Sequence, residues 1–153
     1  MSSLEVKIPP PAVALLFGLL MWLASRVVEP FEAPFGARVG IAVVLACIGA
    51  TFGVPAMISF VRARTTMNPI KPGAASSLVT GGVFRFTRNP MYLSLLLYLL
   101  AWAAYLSNWL ALLLVPVFVF YINELQIKPE ERSLFAIFGA EYAAYKARVR
   151  RWL

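Results

Sequence analysis

Four apolar runs alternate with polar stretches along the chain and predict four membrane-spanning helices. The runs cover residues 12–28, 38–61, 91–106 and 109–127. A spanning helix needs about 20 predominantly apolar residues, with a lower limit of about 17. The first run is at this limit, and the second is long enough to span with a tilt. We therefore expect an all-α membrane protein that forms one domain, residues 1–153.

Short local patterns add detail to these helices. Ser107 and Asn108 alone separate the last two runs, which predicts an antiparallel helical hairpin. Gly40, Gly49 and Gly53 give the second run a small-residue face, which favours close packing against a neighbouring helix.

The chain after Pro129 has the pattern of an amphipathic helical region. Its apolar residues recur every three or four positions, opposite basic side chains: Leu134, Phe138, Tyr142, Tyr145, Val149 and Trp152. We expect this helix to lie on an anionic membrane leaflet, with Gly139 dividing it into two pieces.

Composition supports a membrane protein and excludes several kinds of chemistry. Hydrophobic residues make up 61% of the chain, and only 14% are charged. The net charge of +7 lies in clusters beside the apolar runs, which indicates membrane topology and no nucleic-acid partner. The chain has no histidine, which excludes histidine-dependent nucleophiles, bases and metal sites, and we expect no metal. Its single cysteine, Cys47, allows no intrachain disulfide and is expected to be buried.

The distribution of basic residues predicts the orientation. With four spans, only Arg26 and Arg38 fall on one side of the membrane. The other side carries Lys7, Arg62, Arg64, Lys71, Arg85, Arg88, Lys128, Arg132, Lys146, Arg148, Arg150 and Arg151. The positive-inside rule then places both termini and the polar segment 65–87 in the cytoplasm.

The end of this polar segment carries the first candidate site. Asn89 followed by Pro90 reads as an N-cap and the first helical residue, so the N–H groups of the first turn stay free beside Arg88. Such a helix start attracts a carboxylate or phosphate. The alternative is that the arginines are ordinary cytoplasmic anchors.

Other polar residues converge on the same membrane depth. Glu124, near the inner end of the fourth run, is either functional or a side chain that reaches the interface. The pair Glu130 and Glu131 starts the final helix. A site with a helix N-terminus, these carboxylates and an apolar loop suits a ligand with separated charges. S-adenosylmethionine is one: its carboxylate would meet the helix N-terminus, its ammonium Glu130, and its adenine the loop.

Four ordered blocks then resemble a known superfamily. They are Leu78–Val79–Thr80–Gly81–Gly82–Val83–Phe84, Arg88–Asn89–Pro90–Met91–Tyr92, Glu130–Glu131–Arg132–Ser133–Leu134, and the run from Phe138 to Val149. This C-terminal half resembles the isoprenylcysteine carboxyl methyltransferase and phospholipid methyltransferase superfamily of membrane enzymes, while the first two helices match only in kind. Asn89 stands where the family usually has histidine, and Gln126 where prenylcysteine enzymes place a substrate-binding arginine.

The resemblance implies an S-adenosylmethionine pocket and assigns its residues. These are Ser76, Ser77, Leu78, Val79, Phe84, Asn89, Pro90, Met91, Tyr92 and Glu130. Candidates for a catalytic role are Arg88, Glu131 and Arg132, and the acceptor's head is expected near Glu124, Gln126 or Arg132.

The implied reaction is methyl transfer to a small lipophilic acceptor, a carboxylate or a thiol, at the cytoplasmic membrane face. In-line displacement at a sulfonium depends largely on alignment and exclusion of water, so the absence of histidine is compatible with it. Two alternatives stay open: N-methylation of a phospholipid head-group amine, and a non-catalytic membrane module that packs against or regulates a partner.

Overall fold

The apolar runs form long helices that pack side by side in a computed structural model, which describes residues 8–63 and 77–153. The elements are α1 (Pro10–Val27), α2 (Phe35–Arg62), a 3₁₀ helix (Gly82–Arg85), α3 (Pro90–Leu106), α4 (Trp109–Ile122), a π-helix (Asn123–Ile127) and α5 (Lys128–Arg148). These described residues include no β-strand. The predicted all-α class is confirmed.

Three segments are long and apolar enough to cross a membrane. They are α1, α2 and the continuous helix Trp109–Arg148, whose apolar part is α4. The fourth predicted span, α3, is apolar but shorter, with 17 residues. The chain is therefore an integral membrane protein, and α5 lies beyond the apolar part of its helix.

The loop between α1 and α2 and the loop between α3 and α4 lie at the same end of this bundle. Phe31 N–H donates to the Ser107 carbonyl, and Ser107 Oγ donates to the Phe31 carbonyl, each at 2.8 Å. Asn108 Nδ2 donates to the Val28 carbonyl at 2.7 Å, while its Oδ1 caps the start of α4. The predicted two-residue hairpin link is confirmed. Consequently the end of α2, the start of α3 and the start of α5 share the opposite end.

Close packing of α2 on α3 depends on glycine. A Cβ added at Gly53 would lie 2.5 Å from Ser94 Oγ, and one at Gly49 would lie 3.3 Å from the Ser94 carbonyl. The predicted small-residue contact is therefore correct for these two glycines. Gly40 meets nothing within 4 Å. Cys47 is exposed on α2, so its predicted burial is wrong.

The apolar stripe of α5 packs on protein. Tyr142, Tyr145 and Val149 are buried in one cluster with Ala56 of α2 and Phe84 of the 3₁₀ helix. The prediction that this stripe lies on a membrane leaflet is therefore wrong, because the stripe is already covered.

The predicted division of α5 at Gly139 is confirmed. Gly139 has φ 47° and ψ −117°, which breaks the helix between two helical pieces. A positive φ of this kind favours glycine, because it has no Cβ. The break turns the second piece so that its tyrosines reach the bundle.

Candidate functional site

A cavity of about 450 Å³ opens at the end of the bundle away from the hairpin link. It lies among α2, the loop before α3, the start of α3 and α5. Nine of the predicted cofactor-binding residues line it: Ser77, Leu78, Val79, Phe84, Asn89, Pro90, Met91, Tyr92 and Glu130. The tenth, Ser76, lies outside the described residues. Residues far apart in sequence thus meet at one cavity, as the four-block pattern predicted.

Glu130 and Tyr92 form the polar centre of this cavity. Tyr92 Oη donates to Glu130 Oε2 at 3.0 Å. Burial raises the pKa of Glu130 to about 6, and the hydrogen bond from Tyr92 offsets part of that rise. The carboxyl group is therefore ionised at neutral pH and held towards the cavity by a fixed partner.

Glu131, the next residue, has a different environment. It accepts from Arg88 Nη2 at 2.8 Å and from Arg151 Nε and Nη2 at 3.0 and 2.8 Å. Burial alone would raise the pKa of Glu131, but the hydrogen bonds and charges of Arg151 and Arg88 hold it below its ordinary value. This carboxylate is committed to two guanidinium groups within the protein.

The start of α3 is joined to residues 146–151 by a group of hydrogen bonds that we call the C-terminal clasp. Thr87 Oγ1 and Asn89 Nδ2 donate to the Arg151 carbonyl at 3.1 and 2.9 Å, and Arg88 N–H donates to the Arg150 carbonyl at 2.9 Å. Arg88 Nη1 donates to the Val149 carbonyl at 2.6 Å. The clasp fixes the cavity wall that carries Tyr92.

Asn89 occupies the predicted N-cap position, but its side chain does not cap the helix. Its amide donates to the clasp instead. The predicted capping contact is therefore wrong, while the predicted helix start with Pro90 in the first turn is correct. Because no side chain caps this helix, the N–H groups of Met91 and Tyr92 keep their hydrogen-bonding capacity beside the cavity.

The catalytic candidates differ in position. Arg88 and Glu131 line the cavity, yet they pair with each other; Arg88 is also held by the clasp, and Glu131 by the Arg151 side chain. Arg132 is exposed and is not among the residues that line the cavity. Their catalytic roles stay predictions, and the contacts of the first two are those of positioning residues.

The other two residues expected near the acceptor's head, Glu124 and Gln126, also lie outside the cavity lining. Glu124 pairs with Lys128 at a partly exposed position, as expected for a side chain that reaches the interface. Gln126 is fully buried in the π-helix, and its Nε2 donates to the Ile8 carbonyl at 2.9 Å. Its Oε1 has no partner among the described residues. Gln126 thus fixes the segment that precedes α1.

Sequence reasoning missed part of the cavity wall. The additional lining residues include Pro9, Pro10 and Pro11 before and at the start of α1, Gly53, Val54, Met57 and Phe60 of α2, Ser94, Leu95 and Tyr98 of α3, and Leu134, Tyr142 and Tyr145 of α5. Tyr145 Oη donates to the Phe84 carbonyl at 2.7 Å, which joins α5 to the 3₁₀ helix. The apolar stripe of α5 was the available signal for the tyrosines, but it was assigned to lipid.

Residues 37–141 match the phospholipid methyltransferase family. This range covers 105 of the 153 residues and contains every described cavity residue except those before α2 and those after residue 141. The chain belongs to the phospholipid methyltransferase family. The predicted resemblance to the superfamily is therefore confirmed. The chain is a membrane protein that belongs to a family of methyltransferases.

One relative is similar over a shorter range. An uncharacterized protein of Haemophilus influenzae is 57% identical to this chain over 63 residues. These residues are 41% of this chain and the whole of the Haemophilus protein. No solved structure is significantly similar to the chain.

Proposed function

We propose that the protein transfers a methyl group from S-adenosylmethionine to a small lipophilic acceptor, a carboxylate or a thiolate, at the cytoplasmic membrane face. The observation that carries this proposal is the Glu130 carboxylate, held by Tyr92 at the wall of a mostly apolar cavity beside an uncapped helix start. Membership of a methyltransferase family supports the same reaction.

The cavity residues fit such a nucleoside. Its volume of about 450 Å³ lies within the range of small-ligand pockets, about 300 to 1,000 Å³. Glu130 would hold the ammonium group, and the first-turn N–H groups of Met91 and Tyr92 would hold the carboxylate. Leu78, Val79 and Phe84 would cover the adenine. When bound, S-adenosylmethionine supplies an electrophilic methyl group on a sulfonium.

The chain's own contribution is to bind, align and exclude water. Three carboxylate or guanidinium groups among the described residues line the cavity: Arg88, Glu130 and Glu131. Arg88 and Glu131 are paired with each other. If Glu130 holds an ammonium group, none of these groups is left to take a proton from the acceptor. This arrangement favours an acceptor that arrives as an anion, a carboxylate or a thiolate.

A second candidate is N-methylation of a phospholipid head-group amine. The description of the matched family, phospholipid methyltransferase, favours it. This acceptor must arrive as a neutral amine, because protonation removes the nucleophilic lone pair.

The cytoplasmic placement rests on the charge of the two ends. The cavity end carries Arg62, Arg85, Arg88, Lys128, Arg132, Lys146, Arg148, Arg150 and Arg151, whereas Arg26 and Arg38 lie towards the hairpin end. Arg38 donates to the Tyr105 carbonyl at that end. The positive-inside rule then favours a cytoplasmic cavity.

Calorimetry of the purified protein against S-adenosylmethionine and S-adenosylhomocysteine tests the proposed site. We expect saturable binding of both ligands. Glu130→Gln should weaken S-adenosylmethionine binding about 10- to 100-fold, because a charge-assisted hydrogen bond contributes about 1.5–3 kcal/mol. The matched control is Glu141→Gln, at an exposed position of the same helix, which should bind like the wild type. Folded protein that binds neither ligand would favour the non-catalytic membrane module.

Analysis of the methylated products then distinguishes the two candidate acceptors. The protein is incubated with methyl-labelled S-adenosylmethionine and a membrane lipid extract, and the labelled products are separated by chromatography. A base-labile methyl ester or a thioether supports the first proposal. Label in an intact phospholipid head group supports the second.

A further inference from the structure

Arg151 contacts both of the helix starts that meet at the charged cavity. It lies just after the end of α5, and its side chain and its carbonyl group have different partners. The side chain bonds to Glu131 at the start of α5. The carbonyl group accepts from Thr87 and Asn89, directly before α3. One residue thus joins the two elements that carry the polar centre of the cavity.

The contact with α5 is a two-point ion pair. Arg151 Nε donates to Glu131 Oε1 at 3.0 Å, and Arg151 Nη2 donates to Glu131 Oε2 at 2.8 Å. A planar guanidinium that engages both oxygens fixes the direction of the carboxylate as well as its distance. Arg88 Nη2 also donates to Oε1, at 2.8 Å, while the Lys146 amine lies further away, at 4.0 Å from Oε2. Because the Glu131 side chain is only 11% exposed, solvent screens these pairs little.

The contact with α3 uses buried polar groups. Thr87 Oγ1 and Asn89 Nδ2 both donate to the Arg151 carbonyl, and Thr87 Oγ1 accepts from Asn89 N–H at 3.1 Å. Thr87 and Asn89 are both buried. A buried donor that loses its partner is costly, so these bonds hold the start of α3 against residue 151.

The two helix starts must keep a fixed separation if the cavity is to hold S-adenosylmethionine, because its ammonium and carboxylate groups are bonded to the same carbon atom. In the proposed site, Glu130 of α5 holds the ammonium, and the N–H groups of Met91 and Tyr92 in α3 hold the carboxylate. The hydrogen bond from Tyr92 to Glu130 joins these halves inside the cavity, where a ligand competes for it. Arg151 is not among the cavity-lining residues, so a bound ligand leaves its contacts intact.

We propose that Arg151 is a positioning residue that sets the separation of the two halves of the S-adenosylmethionine site. The inference rests on the proposed function and adds a residue that lies outside both the four sequence blocks and the cavity lining. Arg151 acts through Glu131 on α5 and through its carbonyl group on α3. Its loss should therefore weaken a ligand that contacts both halves, and spare a ligand that occupies only the adenine part.

Arg151→Met tests this role, because methionine removes the ion pair and keeps the carbonyl group. The matched control is Arg150→Met, which removes the same charge from the adjacent exposed side chain and keeps the carbonyl contact with Arg88. Each purified protein is titrated with S-adenosylmethionine by calorimetry. Binding of 5′-methylthioadenosine, which has the nucleoside and the sulfur but no amino-acid group, is measured by ligand-observed NMR, a method that detects weak binding.

We expect Arg151→Met to bind S-adenosylmethionine about tenfold more weakly than the wild type, because Glu131 keeps only one of its two guanidinium partners. Its affinity for 5′-methylthioadenosine should stay that of the wild type, and Arg150→Met should match the wild type with both ligands. Arg151→Lys should recover part of the loss, since an amine restores the charge without the two-point contact. Unchanged S-adenosylmethionine binding by Arg151→Met overturns the inference, and so does an equal loss of both ligands.

A double-mutant cycle tests whether Arg151 acts through Glu131. In a Glu131→Gln background, Arg151→Met should weaken S-adenosylmethionine binding less than it does in the wild type, because the ion pair is already broken. Fully additive effects of the two substitutions would contradict this pathway.

Two further results distinguish the possible failures. A wild type that binds no S-adenosylmethionine contradicts the proposed function, whereas binding that is insensitive to Arg151→Met contradicts only the inference. Thermal unfolding in detergent shows whether each variant folds. If Arg151→Met does not fold, Thr87→Val removes one of the two side-chain bonds to the Arg151 carbonyl and should weaken S-adenosylmethionine binding selectively. Wild-type binding by folded Thr87→Val would then overturn the inference.

Discussion

At the scale of single residues, two adjacent glutamates have different environments. Neighbouring residues of a helix point about 100° apart, so Glu130 faces the cavity and Tyr92 while Glu131 faces Arg88 and Arg151. The pKa of the first is raised to about 6 by burial, and that of the second is lowered by its cationic partners despite burial. Only Glu130 is available to a cationic ligand.

This difference predicts a pH dependence of S-adenosylmethionine binding. Above pH 6 the Glu130 carboxylate is ionised and can hold an ammonium group, and below pH 6 it takes up a proton and loses that charge. Affinity should therefore be about tenfold lower at pH 5 than at pH 7, given the pKa of about 6. Calorimetry across this range measures it.

The control for this pH effect is Glu130→Gln, which should bind weakly with no change between pH 5 and pH 7. A wild-type affinity that is constant across the same range would contradict the assigned role of Glu130. The ligand's own ammonium and carboxylate groups do not titrate in this interval.

The sequence identified Glu130 and Tyr92 through the order of the motif blocks, and their contact at 3.0 Å agrees. Gln126 and Asn89 were harder to place. The π-helix at 123–127 adds one residue to a turn, which changes the direction in which Gln126 points, and the apolar run carries no signal of it. Asn89 contacts residue 151, a partner that only the tertiary fold supplies.

At the scale of elements, α5 carries an apolar stripe whose partner could not be predicted. A helix on a leaflet and a helix on a protein core both need one apolar face, so the pattern alone does not distinguish them. The break at Gly139 was predictable, because glycine is the residue that adopts a positive φ without strain.

Substitution of Gly139 tests how far the site depends on this break. Gly139→Ala should lower the free energy of unfolding by about 1–3 kcal/mol, because alanine is strained at φ 47°. It should also weaken S-adenosylmethionine binding, since the second piece of α5 carries Tyr142 and Tyr145 of the cavity wall. Thermal unfolding in detergent and calorimetry measure the two effects.

Gly81→Ala is the matched control for this substitution. Gly81 has φ −91° and nothing within 4 Å, so alanine should be tolerated there. Wild-type stability and binding of Gly139→Ala would show that the break is not required.

At the scale of the whole molecule, the bundle has two different ends. At the hairpin end, Phe31 and Ser107 join the α1–α2 loop to the α3–α4 loop. The other end holds the cavity and most of the basic residues. The number of apolar runs, and the hairpin formed by the last two, could be predicted from the sequence. The packing of α1 against α3 and α4 could not, because the apolar runs carry no signal of which helices become neighbours.

The orientation can be measured by labelling single cysteines in intact cells with a membrane-impermeant maleimide. In a Cys47→Ser background, Glu32→Cys at the hairpin end should react from outside, whereas Arg85→Cys at the cavity end should react only after the membrane is permeabilised. Both positions are exposed. The opposite pattern would contradict the cytoplasmic placement of the cavity.

The C-terminal clasp has a consequence for biosynthesis. All five helices are synthesised before residues 149–151, whose carbonyl groups hold the start of α3. The wall of the cavity is therefore completed only after residues 149–151 have left the ribosome. A chain that stopped before residue 149 would contain all five helices and still lack the contacts that fix Asn89 and Arg88.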